Sequence, residues 1–256
     1  MKKLVYLFAF FICGLSLQAQ IFTQIEEITL KEGVEGDYEA FEAFWGVVKE
    51  KAIADGHQTG WFVWKVDSNS NNNNAWAHYL IINVFKDKAQ MEAQSSHPAG
   101  WWQDYVKAAH KGKTKSKVVK KYIAETMDNK YRQKSVTYTN KRISDYMMPG
   151  ANPSKGLVGY YLGLEQLNED YVPFELNYFK PLHEGRRWWW ELNEVDSRSD
   201  NAYQPVSHII FEIPNEEAPE IKEEDVSFTD KMMSKYGQTT RKLHGWLRTE
   251  LVLWEM

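Results

Sequence analysis

Asp37-Tyr38, Phe41-Glu42 and Trp45 are met again as Asp170-Tyr171, Phe174-Glu175 and Tyr178. Outward from this stretch the correspondence continues in the same order and at similar spacing. Val66-Asp67-Ser68-Asn69-Ser70 is answered by Val195-Asp196-Ser197-Arg198-Ser199, Asn74-Ala75-Trp76 by Asn201-Ala202-Tyr203, and His78 by His208. A repeated supersecondary unit buries its apolar face against its neighbour. The chain is therefore expected to be a duplication whose halves share a core or a cleft.

In the first half, Ile25 to Leu30 reads as a strand. Asp37 is a good helix cap, and Tyr38, Phe41, Trp45, Val48 and Ala52 recur at the three- and four-residue steps of one helix face, with Gly56 as the stop. Gly60 to Val66 is a second strand and Asn69 to Asn74 a solvated hairpin loop. Ala75 to Phe85 is a third strand, apolar on both faces and so covered on both sides. Residues 88–131 read as helix in two parts broken at Lys111-Gly112-Lys113, and Lys134 to Tyr146 as the fourth strand. The second half repeats the order. It has a strand at Leu157 to Leu164, a helix from Asp170 ended by Pro181 and Gly185, and strands at Trp188 to Val195 and Val206 to Ile213. A helix at Phe228 to Leu243 and a strand at Trp246 to Trp254 complete it.

Each half is thus β-α-β-β-α-β, the ferredoxin-like unit, with helices on one sheet face and the bare face in need of a partner. The fold class is α+β, with two tandem ferredoxin-like repeats packed sheet to sheet. The boundaries are a signal peptide at 1–20, a first repeat at 21–148, a linker at 149–154 and a second repeat at 155–256.

The element order, the duplication and the segment Ser96-His97-Pro98-Ala99 after the third strand resemble the dimeric α+β barrel superfamily in a tandem fused form, nearest to its NIPSNAP-like and EthD-like groups. The resemblance covers nearly all of residues 21–256. It implies an intrachain pseudo-dimeric barrel. The superfamily includes cofactor-free monooxygenases, isomerases and haem enzymes, so fold alone does not name a function. The second half has no counterpart of His97-Pro98 or Trp101-Trp102, which makes the halves unequal.

Met1-Lys2-Lys3 followed by the apolar run Leu4 to Leu15 and the small residue Ala19 has the form of a signal peptide cut after Ala19 or Gln20. Cleavage removes Cys13, the only cysteine, so the mature chain has no thiol chemistry and no disulfide. Losing Lys2 and Lys3 takes the formal net charge from −4 to −6, which disfavours nucleic-acid binding. The expected location is periplasmic or secreted, with no membrane attachment after cleavage. Aromatic residues make up 14% of the chain, including 11 Trp, so a pocket is expected to be aromatic-lined.

His78 and His208, at matching places on the third strands, are the candidate catalytic bases, expected to point between the sheets. The row Ile209, Phe211 and Ile213 is assigned to the helix side. Arg248 and Glu250, between Trp246 and Trp254, are assigned to the inter-sheet face of the last strand, and the matching row of the first half is Tyr138, Asn140, Arg142, Ser144 and Tyr146. Arginine there could hold a carboxylate. Trp188-Trp189-Trp190, with Trp189 on one face and its neighbours on the other, joins Trp61, Trp64, Trp76 and Tyr203 as stacking surfaces. The basic stretch His110 to Lys121 lacks the interleaved aromatics of a nucleic-acid module and reads as a solvated surface.

No HExxH, CxxC, GxSxG, P-loop or GxGxxG motif is present, no metal ligands are assigned and no cofactor is predicted, although a lone histidine leaves haem or a metal open. Three functions stay in play. One is binding of a small, partly aromatic or acidic molecule between the sheets. Another is a cofactor-independent oxygenase or isomerase using His78 or His208 as base. The third is a non-catalytic interaction protein whose core is filled. The pseudo-dimer is expected as a monomer or in a further homo-oligomer.

Overall fold

The computed structural model describes residues 20–67 and 76–256. The expected signal peptide up to Ala19 and the Asn-rich loop at Asn69 to Asn74 lie outside the described residues.

Strand β1 (Phe22–Leu30) leads into α1 (Glu35–Ala54), followed by β2 (Gly60–Val66) and β3 (Tyr79–Phe85). Helices α2 (Lys88–Ala93), α3 (Trp101–Ala109) and α4 (Ser116–Met127) precede the long β4 (Arg132–Met147). The order then recurs. Strand β5 (Val158–Gln166) is followed by α5 (Tyr171–Phe174), which runs through a π turn at Glu175–Phe179 into α6 (Lys180–His183). Strands β6 (Arg187–Arg198) and β7 (His208–Pro214), α7 (Phe228–Thr239) and β8 (Arg241–Glu255) complete the chain.

Several boundaries differ from expectation for local reasons. Helix α1 begins before Asp37, with Val34 in the cap position, so Glu35 and Asp37 sit in the first turn against the positive helix end. The helical stretch after β3 breaks at Lys111-Gly112-Lys113 as expected and once more before Trp101. There Pro98 lacks a donor and Gly100 takes φ +83°. Pro181 does not stop its helix. It comes after a π turn, where the usual i→i−4 ladder is already interrupted, and the helix ends at His183 before Gly185 at φ +76°. The residues from Arg241 leave the expected helix and pair with the end of β5, Gln166 opposite Arg241.

The eight strands form one closed antiparallel barrel in the order β1-β3-β2-β8-β5-β7-β6-β4. The two expected facing sheets are joined edge to edge. Strand β2 pairs with β8, for example Phe62 with Trp254, and β4 pairs with β6, for example Arg142 with Asn193. Closure removes every free sheet edge, which would otherwise offer unpaired backbone groups to another chain.

The core has two regions. Inside the barrel, Ile25, Trp64, Leu80, Ile209, Phe211 and Leu247 pack together. Outside it, Tyr38 and Phe41 of α1 cover Trp61, Val63 and Ile81, while Tyr171 of α5 covers Trp190, Leu192 and Ile210. The assignment of Ile209, Phe211 and Ile213 to the helix side is thereby corrected, since this row lines the interior. Alternation separates this apolar row from His208, Ile210 and Glu212, but it does not say which row faces the helices, and here the barrel interior takes the wholly apolar one.

Gly159 of β5 lets the interior fill. A Cβ there would stand 2.7 Å from the Phe211 ring and 3.1 Å from Trp64. Gly159→Ala should therefore lose about 1–3 kcal/mol of stability in urea unfolding. Phe211→Leu added to it should return part of the loss. A Gly159→Ala variant as stable as the parent would contradict this packing.

Candidate functional site

A cavity of about 310 Å³ opens at the end of the barrel where β1, β2 and β5 begin. Phe62, Trp64, Trp188, Trp189 and Phe211 form its aromatic wall. Met147 and Met256, 53% and 66% exposed, stand at its rim. Trp188 reaches the cavity beside Trp189 because β6 shifts register between Arg187 and Trp189, whereas regular alternation was expected to place it on Trp190's side.

The polar part of the wall is built on the β4–β6 joint. Arg142 Nη2 donates to Glu191 Oε2 at 2.5 Å, and both side chains are buried. Trp189 Nε1 donates to the same oxygen at 3.2 Å, and Asn193 Nδ2 donates to Glu191 Oε1 at 3.0 Å. The Arg142 guanidinium lies 5.5 Å from the centre of the Trp189 ring. Asp145 stands 3.7 Å from Arg142 Nη1. Around this pair, Thr23 Oγ1, Arg142 Nε, Asn140 Oδ1 and Asn193 Oδ1 are buried and have no hydrogen-bond partner. Thr23 lies across the ladder from Asn140 and Arg142 across from Asn193, so the four atoms belong to one neighbourhood.

The other end of the barrel is closed by a different buried group. Trp76 and Tyr161 hydrogen-bond to the carboxyl of Glu27, and burial pushes that carboxyl above its ordinary value. Tyr138, nearby, is pushed up to about 12 by burial and by Glu27.

No family model and no curated protein matches the chain. Solved structures do. A putative monooxygenase from Lactobacillus acidophilus superposes with a TM-score of 0.54 at 12% identity, over 93% of this chain and 96% of that one. A putative monooxygenase from Fusobacterium nucleatum gives 0.53 at 10%, over 93% and 94%. An anthrone oxidase-like protein gives 0.50 at 7%, over 92% of each chain. The fold is that of the dimeric α+β barrel proteins. At these identities the likeness shows the fold and nothing finer.

Within this α+β barrel the residues singled out from sequence scatter. Arg142 lies in the cavity, and Trp254 packs against the interior core because β8 shifts register after Leu251. Arg248 and Glu250 are on the outer face, where Arg248 pairs with Asp67 at 2.9 Å across the β2–β8 joint. Trp246 is also outside, its ring 6.1 Å from Tyr160. The interior positions of that strand are Leu247, Thr249 and Leu251. The row on β4 is interior only as far as Arg142. A register shift then turns Ser144 to Lys180, 2.8 Å away, and Tyr146 to the backbone of Gly185. Trp76 and Tyr203 sit at the far end of the barrel, Tyr203 with its hydroxyl 3.3 Å from His244.

The two histidines do not face each other. His78 precedes β3, and its Nδ1 accepts from the backbone of Leu30 at 2.9 Å. His208 begins β7 and points into the helix layer, its ring 5.0 Å from Tyr171. Its counterpart by ladder register is Tyr79: Tyr79 pairs with Ile28 as His208 pairs with Leu164. Glu191, Asn193 and Thr23 were missed. Glu191 comes directly after three tryptophans and shares a strand face with Trp189, and a carboxylate beside such rings is the signal that was available.

Two measurements check this geometry. Arg142→Met leaves Glu191 buried without its cation and should cost about 3–5 kcal/mol in urea unfolding. Arg142→Met with Glu191→Leu should cost markedly less. Burial lowers His208 to about 4, and His183 likewise to about 4, so both are neutral in the folded protein. In the unfolded chain they take up protons near pH 6.5. Their neutral state therefore supports the fold fully above pH 6.5, and that support declines as the pH falls towards 4, at up to about 1.4 kcal/mol per pH unit for each. His208→Phe should flatten the fall of the unfolding midpoint between pH 7 and pH 5, and an unchanged slope would contradict the assignment.

Proposed function

We propose that the protein binds a small neutral aromatic molecule bearing hydroxyl or carbonyl oxygens in the barrel cavity. The observation that carries this is the pair of unpartnered polar atoms on residues lining the cavity, Thr23 Oγ1 and Arg142 Nε, against a wall of five aromatic rings. A buried polar atom left unpaired costs about 1–3 kcal/mol, and a ligand oxygen or hydroxyl would relieve that cost. The charge of Arg142 is already met by Glu191 and Asp145, so the site does not call for an acid. This narrows the sequence-based expectation of a partly aromatic or acidic ligand to a neutral one. We further read the chain as two fused ferredoxin-like repeats, each half supplying one strand of the joint that carries the pair, and as exported after removal of residues 1–20.

An enzymatic reading shares the same ligand. The neighbours described as putative monooxygenases and as anthrone oxidase-like lend it a precedent on this fold. A base would have to stand beside the ligand. Glu191 is the carboxylate bordering the cavity, whereas His78 and His208 lie outside it. Binding without turnover is the reading the geometry favours, because Glu191 already accepts from Arg142, Trp189 and Asn193.

Titration with 1-naphthol and 1-naphthoate, monitored by tryptophan fluorescence, tests the proposal. Naphthol should bind about tenfold or more tightly than naphthoate. Leu157→Trp, which fills the cavity edge, should abolish the signal. Tighter binding of naphthoate, or no binding of either, would overturn the proposal.

A further inference from the structure

A second cavity, of about 250 Å³, lies in the helix layer of the first half, outside the barrel wall. Its aromatic surfaces are Phe41 and Trp45 of α1, Trp61 of β2 and Tyr131 just before β4. Its charged groups come from four elements. Arg132 at the start of β4 holds Glu26 of β1 at 2.7 Å and Glu42 of α1 at 3.1 Å. Glu125 and Lys130, at the rim, pair with each other at 2.6 Å. Lys49 of α1 is different. Its Nζ donates to Asn83 Oδ1 at 2.7 Å and to Gln58 Oε1 at 3.3 Å, both neutral, and among the described residues no carboxylate forms an ion pair with it.

The second half shows that this cavity is not a by-product of the architecture. There Glu175 pairs with Arg241 in the same way. The ladder position of Glu26 is taken by Leu162, since Glu26 pairs with Ile81 as Leu162 pairs with Ile210. The position of Asn83 is taken by Glu212, which Arg187 holds at 2.9 Å. Helix α7 then closes over the layer, so tightly that a Cβ on Gly237 would stand 2.6 Å from Phe174 and from Phe179.

We propose that the cavity in the first half is a second ligand site, taking a small monocarboxylate whose anionic end pairs with Lys49 and whose apolar body rests on Trp45 and Phe41. One cation is committed to two carboxylates and the other to none. Burial pushes the Lys49 amine down, against the pull of the nearby Glu26 and Glu42 carboxylates, the direction expected of an ammonium whose direct contacts are neutral. A bound carboxylate would supply a charge-assisted hydrogen bond for the remaining proton of the ammonium.

The test uses protein carrying fluorotryptophan, read by 19F NMR, with phenylacetate as probe and 2-phenylethanol and phenethylamine as its neutral and cationic matches. Phenylacetate should move the Trp45 and Trp61 resonances saturably at millimolar concentration. Lys49→Met should weaken this about tenfold, and Lys49→Arg should retain it. The Trp188 and Trp189 resonances report the barrel cavity, so the two sites are read separately. The proposal is overturned if Trp45 and Trp61 stay still, if only Trp188 and Trp189 move, if Lys49→Met binds as well as the parent, or if 2-phenylethanol shifts Trp45 and Trp61 as strongly.

Discussion

The antiparallel pairing of β4 with β6 is the constraint on which the rest of this molecule depends. Together with β2–β8 it joins the two halves into one closed barrel. It also brings Arg142 of one half against Glu191 of the other inside that barrel. Desolvating such a pair is costly, and the cost is offset only where the geometry is good and further donors complete the carboxylate. Trp189 and Asn193 are those donors, both from β6. The joint is therefore both the structural seam and the polar part of the cavity. The register that closes the sheet is the register that places the site.

Resemblance between the halves stops where chemistry begins. Both use a glutamate on the first helix and an arginine at the start of the last strand, Glu42 with Arg132 and Glu175 with Arg241. Around that shared pair the first half places Lys49, Asn83 and Glu26 beside open space, and the second closes its helix layer with a π turn and with Gly237 pressed on Phe174. A π turn inserts one residue and so rotates the side chains beyond it to new directions, a feature often found near functional positions.

Element order and the aromatic character of the interior could be read directly from the chain, because each rests on local periodicity and composition. The orientation of strand faces could not. On β7 the mixed face of His208, Ile210 and Glu212 belongs with Tyr171 on the helix side, while the wholly apolar Ile209 and Phe211 turn inward. Register shifts hid the rest. The shift after Arg142 turns Ser144 and Tyr146 outward, the one after Leu251 brings Trp254 in, and the one at Trp188 doubles the tryptophans at the cavity. Arg142 was identified because it stands on the interior side before its shift. Glu191 was overlooked because its meaning depends on a partner 49 residues away across the joint.

The picture is of a barrel hollow at one end, with aromatic walls and an ion-paired, incompletely satisfied polar patch, and sealed at the other by Glu27, Trp76 and Tyr161. A crystal structure of the mature protein under xenon pressure addresses that picture most directly, since xenon occupies dry apolar space and ordered water marks unpaired polar groups. The account predicts xenon among Phe62, Trp64 and Phe211, with ordered water or a bound molecule on Thr23 and Arg142. A barrel filled by its own side chains, with Arg142 Nε and Thr23 Oγ1 bonded within the protein, would contradict it.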